Sequence, residues 1–434
     1  MDKMADVLGR AGAWCGQNKY LSAIKNAFQN FMPLTIAGAI GVLWCNVLVN
    51  DQTGLGLFFK PIMALDFLNP AFQAVNFCTI SCITVGITLG IAQEIGVWNM
   101  GAERAGYIPG LVGLAAWLSV TNTSHMVEGA KDAFTGISGN ELGATGLFTG
   151  MIIGVLSVEL FCFFEKQDAL KIKMPEQVPP GVARAFEVLV PATITLIITA
   201  CIGSACYNLT GLYLNDVIKN GIQGPLGAVG ATIPGVMIIY LVIMLFWLVG
   251  IHGNNMLSAV KEALFTPLAL ENVEKFNKGE KPTNIINMYA LQMWGEFGGS
   301  GVTIGLVIAI MIFGKREDNK AIATLSLVPG LFNINETVTF GIPMVLNPIL
   351  GIPFVVAPLI TIIIGYVLTV IGFCPVACLT VPWTTPPIVF GFLATGANVM
   401  GAVTQAILIV VSTVIYTPFL IAYEKYQNKQ AAEA

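Results

Sequence analysis

The sequence predicts an all-α, polytopic membrane protein. Three observations carry that prediction. The 434 residues are 55% hydrophobic and only 11% charged. Long apolar runs recur along the whole chain. The few charged side chains collect in the short stretches between them. Soluble domains are about one quarter charged. A soluble fold of this length would have almost no polar surface to show to water.

A helix needs about 20 apolar residues to cross about 30 Å of hydrocarbon. Candidate spans lie at Phe31–Val49, Ala71–Gly90, Tyr107–Val120, Gly146–Phe164, Leu189–Cys206, Val229–Gly250, Gly301–Gly314, Val355–Cys374 and Val403–Ala422. The expectation is about ten transmembrane helices, with 250–350 the hardest region to parse. The start of the chain shows no cleavable leader pattern, so the first span is expected to act as its own insertion signal. Before it, Met4, Val7, Leu8, Ala11, Trp14 and Cys15 recur at helical spacing, with Asp6, Arg10 and Gln17 off that stripe. This predicts an amphipathic helix on the membrane interface or packed on the protein's own cytoplasmic face. Trp14 and Trp98 read as interfacial anchors.

Basic residues orient the first half. With a cytoplasmic N-terminus, Lys3, Arg10, Lys19, Lys25, Arg104, Lys166, Lys171, Lys173 and Arg184 fall inside, against Lys60, Lys131 and Lys219 outside. Nine against three favours that orientation. Lys425 and Lys429 place the C-terminus inside too. The side of Lys315, Arg316 and Lys320 stays open. The polar, proline-containing stretch Lys166–Arg184 marks the boundary between an N-terminal half, 1–186 extending to about 210, and a C-terminal half, 211–434. No internal repeat is visible, which gives no support to an inverted-repeat symporter.

The net charge of −4 provides no basic footprint for nucleic acid. Nine cysteines without a CxxC pair, and only two histidines, argue against a metal site. The cysteines read as small apolar side chains, and no cofactor is expected. His125, in the polar run TNTSHMVEG, reads as a solvated loop residue.

Two stretches are apolar enough to lie at membrane depth but too broken to cross it. One is WLVGIHGNN (247–255), continuing to WGEFGGSG (294–301). The other is VPGLFNINETVTFGIP (328–343). Irregular backbone at that depth survives only when buried in protein or lining a wet cavity, so two re-entrant hairpins around a solute path are expected. Glu336 is the leading site candidate, because an intramembrane carboxylate is costly without a function or partner. His252, between glycines and followed by Asn254 and Asn255, is the second. Asn254, Asn333 and Asn335 join the site as hydrogen-bonding groups, and Trp247, Trp294 and Trp383 as ring platforms for a solute with both apolar and polar faces.

At these residues the chain resembles a family. NINETVTFGIPMVLNPILGIPF (333–354), the Gly-Ile-His-Gly loop within 247–255 and the linker KIKMPEQVPPGVARAF (171–186) are similar to the sugar-translocating IIC components of bacterial phosphotransferase systems, in the lactose/cellobiose/diacetylchitobiose group. Thr337 stands where that family often has proline. The resemblance spans essentially the whole chain. It implies an all-α, glucose-superfamily IIC-type fold with ten membrane helices and two re-entrant hairpins. The first five helices would form a homodimer interface, and the second half would enclose the sugar. It further implies import of a disaccharide whose 6-hydroxyl is presented to a phosphocysteine on a separate, soluble IIB protein. Glu336 would bind that hydroxyl and act as its general base, with His252 beside it. The chain would phosphorylate nothing alone. Two rival readings remain at this stage. One is an ion-coupled secondary transporter using Glu336 and Glu296 as coupling carboxylates. The other is a membrane scaffold that transports nothing.

Overall fold

The structure is a computed structural model. It describes residues 10, 13–14, 17–51, 55–125, 134–175, 177–225 and 230–433. The amphipathic N-terminal stripe at Met4, Val7, Leu8, Ala11 and Cys15 lies outside them; Trp14 is described and exposed, as is Trp98.

Helix forms along most of the apolar sequence. The main helices are α1 (Lys19–Leu43), α2 (Ile83–Met100), α3 (Ile108–Val120), α4 (Leu147–Glu165), α5 (Pro180–Thr210), α6 (Ile233–Leu248), α7 (Gly253–Met256), α8 (Ser258–Asn277), α9 (Met288–Gly295), α10 (Ile304–Phe313), α11 (Glu317–Leu331), α12 (Glu336–Gly341), α13 (Gly351–Val370), α14 (Val389–Ala394) and α15 (Val399–Glu433). Strand among the described residues is limited to β1 (Ser124–His125) paired antiparallel with β2 (Phe134–Thr135). Each of the nine apolar runs expected from sequence overlaps helix, the run Ala71–Gly90 being broken at Cys82. Among the described residues, five helices are long and apolar enough to cross a membrane, or six when Lys60–Ser81 and Ile83–Met100, bent by 42°, count as one span. α3, α6 and α10 are apolar but shorter. Helix length alone therefore accounts for fewer crossings than the ten expected.

Several of these helices contain proline, which removes a backbone donor. Threonine hydroxyls bond carbonyls near two of these prolines. Thr195 Oγ1 donates to the Pro191 carbonyl at 2.8 Å in α5, and Thr361 Oγ1 to those of Ala357 and Pro358 at 3.1 Å in α13.

The chain divides into two compact units. One takes Gln17–Gly38 and Ala74–Ala228; the other takes Ala39–Gln73 and Val229–Ala434. The polar stretch 166–184 lies within the first of these units. That linker joins α4 to α5 within one unit, because Arg184, just after it, returns to Glu165, just before it, at 2.9 Å. Arg104 meets the same carboxylate at 2.7 Å. In this unit α2, α3, α4 and α5 pack around Ala116, Trp117, Val120 and Ile153. Small residues set their spacing: a Cβ at Gly113 would collide with Ala92, and one at Gly150 with Thr88. His125 sits half-buried on β1 with Nε2 3.1 Å from the Asn122 carbonyl oxygen, more ordered than a solvated loop residue. The described cysteines are all free. Cys162, Cys374 and Cys378 are buried as expected, whereas Cys78 and Cys201 are exposed.

The second unit contains every candidate site residue. Its buried floor is tied by amide side chains. Asn272 donates to the carbonyls of Asn284 and Ala377 and accepts from the amides of Thr283 and Asn284. Asn287 Oδ1 caps α9 through the amides of Tyr289 and Ala290, and its Nδ2 reaches the same two carbonyls, Asn284 and Ala377. Non-helical backbone in an apolar body needs such partners, because each unpaired buried group costs about 1–3 kcal/mol. At the far end of α11, the buried Glu424 carboxylate of α15 accepts from the amides of Lys315 and Arg316 and from Asn319 Nδ2. It acts as an N-terminal cap supplied from another helix.

Candidate functional site

Four broken segments of the second unit converge. The first follows α6, where Gly250 at φ 84° turns the chain after Trp247. His252 then caps the single turn α7. Its Nδ1 accepts the Asn255 amide at 3.2 Å. A nitrogen that accepts carries no proton, so the neutral ring holds its proton on Nε2. That nitrogen lies 3.8 Å from Glu336 Oε1. The Trp247 ring backs the imidazole at 4.4 Å between centroids and meets Phe354 edge-on.

The second segment runs from the end of α9 to the start of α10. Gly298, Gly299 and Gly301 all have φ between 68° and 88°, where a side chain would be strained. Gly299 also leaves no room for a Cβ, which would stand 2.6 Å from that of Asn335.

The third segment is the turn between α11 and α12. Asn333 has φ 62°, a left-handed conformation that asparagine tolerates better than most residues. Its Oδ1 accepts the Gly298 amide at 2.7 Å, and its Nδ2 donates to the carbonyls of Trp383 at 2.5 Å and Thr385 at 3.0 Å. Asn335 is buried and donates to the Ser300 carbonyl at 2.7 Å. Asn254 Nδ2 reaches Ser300 Oγ at 3.1 Å from the first segment. The fourth segment, 381–388, carries Trp383.

Three asparagines thus lock four irregular segments together and bring His252 and Glu336 face to face. Asn333 and Asn335 do so with their amides committed to backbone. Glu336 opens α12, where the helix N-terminus favours a negative charge. Its side chain is 47% exposed. The turn leaves the carboxylate on an accessible side, where a ligand can reach it. Trp383 is likewise 45% exposed. Trp294 is sealed and packs against Gly365 of α13, where a Cβ would collide with its indole. It forms part of the wall. Trp247 Nε1 and Asn254 Oδ1 are shielded from solvent without a protein partner. Beside His252 they offer one donor and one acceptor.

Sequence reading named Glu296 but missed the partners that hold it. Glu296 accepts from the Tyr240 hydroxyl at 2.8 Å and pairs with the Lys261 ammonium, both partners being buried. A lysine in the run Ser258–Leu270 was the available signal, because a buried cation needs a carboxylate. The pairing also gives Glu296 a structural partner, unlike the ion-coupling role considered above.

Comparison with known proteins identifies the family. The family description "Phosphotransferase system, EIIC" matches residues 25–358. The oligo-beta-mannoside-specific EIIC component of Bacillus subtilis is 33% identical, covering 98% of this chain and 94% of that one. The cellobiose-specific EIIC component of Lactococcus lactis is 30% identical, covering 98% of both. The crystal structure of ChbC, the IIC component of the N,N'-diacetylchitobiose-specific phosphotransferase system, superposes with a TM-score of 0.88 at 29% identity over 97% of each chain. The helical fold is that of the IIC transporters, and the chain belongs to the phosphotransferase system EIIC family.

Proposed function

We propose that this chain imports a β-linked disaccharide of the cellobiose or chitobiose type and holds its 6-hydroxyl at Glu336 for phosphorylation by a separate IIB protein. The observation that carries this reading is the His252–Glu336 pair, 3.8 Å apart and accessible, at the junction of four broken segments. The relatives support the substrate class: their names specify cellobiose, lichenan, oligo-β-mannoside and diacetylchitobiose. Family membership speaks for the phosphotransferase role and against the ion-coupled transporter and the inert scaffold.

The chemistry asks little of this chain. The sugar 6-hydroxyl oxygen attacks the phosphorus of the IIB phosphocysteine. The phosphorus–sulfur bond breaks, the thiolate stays on IIB, and Glu336 takes the hydroxyl proton. A base must come within about 2.6–3.2 Å of the group it deprotonates, and an exposed carboxylate at a helix start can do so. His252 donates from Nε2 to the same sugar or to Glu336. Asn254 and the Trp247 indole supply further hydrogen bonds, with Trp383 as a stacking platform. Trp294 braces the wall, and Asn333 and Asn335 hold the turn that aims Glu336.

The reading extends to a plasma-membrane homodimer with a cytoplasmic N-terminus, ten crossings, two re-entrant hairpins and a lipid-facing surface. The basic-residue asymmetry and the likeness to the IIC fold support it. The test uses proteoliposomes loaded with phosphoenolpyruvate and the soluble phosphotransferase components. Labelled cellobiose or diacetylchitobiose should accumulate as the 6-phosphate. Concentration of unmodified sugar by a proton gradient would overturn the reading.

A further inference from the structure

Gln405 lies in the middle of the long apolar helix α15 and is 1% exposed. Its Oε1 accepts the amides of Ile388 at 2.7 Å and Gly391 at 2.8 Å. Its Nε2 donates to the Met293 carbonyl at 3.2 Å. One side chain thus joins α15 to the start of α14 and to the end of α9, beside Trp294.

The bonded amide at 388 follows two residues that have none to offer. Pro386 and Pro387 lack an N–H, so Ile388 supplies the first donor after the Trp383 turn. Ile388 itself has φ 76° and ψ −52°. A β-branched residue in that region is a genuine outlier that persists only where its surroundings over-determine it. Gln405 is what holds it. Gly391 leaves the room this needs, since a Cβ there would stand 2.9 Å from Gln405 Oε1 and 2.5 Å from the Gly401 carbonyl oxygen. At the other end of the same turn, Asn333 Nδ2 holds the carbonyls of Trp383 and Thr385. The half-exposed Trp383 therefore sits on a short, proline-stiffened segment clamped by two side-chain amides, one from the Glu336 turn and one from α15.

We propose that Gln405 is a positioning residue for sugar binding: it clamps the strained start of α14 so that the Trp383 ring is presented to the substrate, and it acts through Trp383 alone. The inference rests on the reading of Trp383 as a stacking platform. The two can be separated by experiment.

The test is a double-mutant cycle on the purified full-length chain in detergent. Binding is measured by titration calorimetry with whichever of cellobiose and diacetylchitobiose the wild type binds. Trp383→Ala should weaken binding about tenfold or more, consistent with loss of one stacked ring. Gln405→Leu, close in volume, should weaken it roughly fivefold to tenfold in the wild-type background and less than about twofold in the Trp383→Ala background. Gln405→Glu, neutral at this buried site, keeps both acceptor contacts and can donate its O–H to the Met293 carbonyl, so it should stay nearer to wild type than the leucine variant. Should the leucine variant not be recovered folded, Gln405→Asn, one methylene too short to reach, makes the same comparison. Equal losses in both backgrounds would overturn the positioning role and leave the platform intact. Unchanged binding in Trp383→Ala would remove the platform and the proposal together.

Discussion

The protonated nitrogen of His252 faces the Glu336 carboxylate across 3.8 Å, and each group is aimed by backbone that is not helical. His252 is fixed because its other nitrogen caps α7, and Glu336 because it opens α12 directly after a turn pinned by Asn333 and Asn335. The distance is too long for a hydrogen bond. It leaves room for one hydroxyl oxygen to bridge the two.

Replacement of Glu336 by glutamine should separate binding from chemistry. The amide keeps the shape and can still bond a hydroxyl, but it cannot take a proton. IIB-dependent phosphorylation should fall about 100-fold or more, the usual contribution of a positioned base. Sugar affinity should fall about tenfold or less. His252→Ala should reduce affinity by a similar factor and loosen α7. Calorimetry and a phosphoenolpyruvate-driven assay together read both effects. Wild-type binding in both variants would mean that the sugar sits elsewhere.

Asn333→Ala removes three backbone contacts and places a less tolerant residue at φ 62°. The stranded groups predict a loss of about 2–4 kcal/mol. Thermal unfolding in detergent should show a clearly lower midpoint. Saturating sugar should restore less of it than in wild type.

Lys261→Met leaves the Glu296 carboxylate buried without its cation. Breaking a buried pair from one side costs about 3–5 kcal/mol. The double variant Lys261→Met/Glu296→Gln removes both charges and should recover a large part of that loss. A double variant less stable than Lys261→Met would show that the pair is not the reason. Stability at matched detergent and salt is the measurement.

Glu424→Ala uncaps α11 at the end remote from the Glu336 turn. The amides of Lys315 and Arg316 lose their acceptor, at a cost of about 1–2 kcal/mol. Hydrogen exchange should accelerate in the first turn of α11. Protection there at the wild-type level would mean that other groups replace the carboxylate.

Much of the architecture was legible in the chain. Each expected apolar run overlaps helix, since in an apolar medium a helix satisfies its own backbone. The two histidine- and glutamate-bearing stretches were legible as breaks, because glycine, proline and asparagine interrupt those runs at WLVGIHGNN and VPGLFNINETVTFGIP. A lone glutamine in the apolar run 403–422 was also a visible signal, since an unbonded amide there is costly. Which backbone it serves was not visible, because Ile388, Gly391 and Met293 reach it only through folding.

Composition and local pattern alone determined that this chain is helical, is apolar enough for a bilayer, and carries a rare histidine and a carboxylate in two separate broken stretches. Those properties depend on near neighbours and on transfer from water, which a linear sequence encodes directly. Tertiary structure decided the rest. It made Asn333 and Asn335 struts, gave Glu296 a buried lysine, exposed half of Glu336, and placed the polar linker within one unit. These outcomes depend on which distant backbone groups meet in space, and no periodicity along the chain records that.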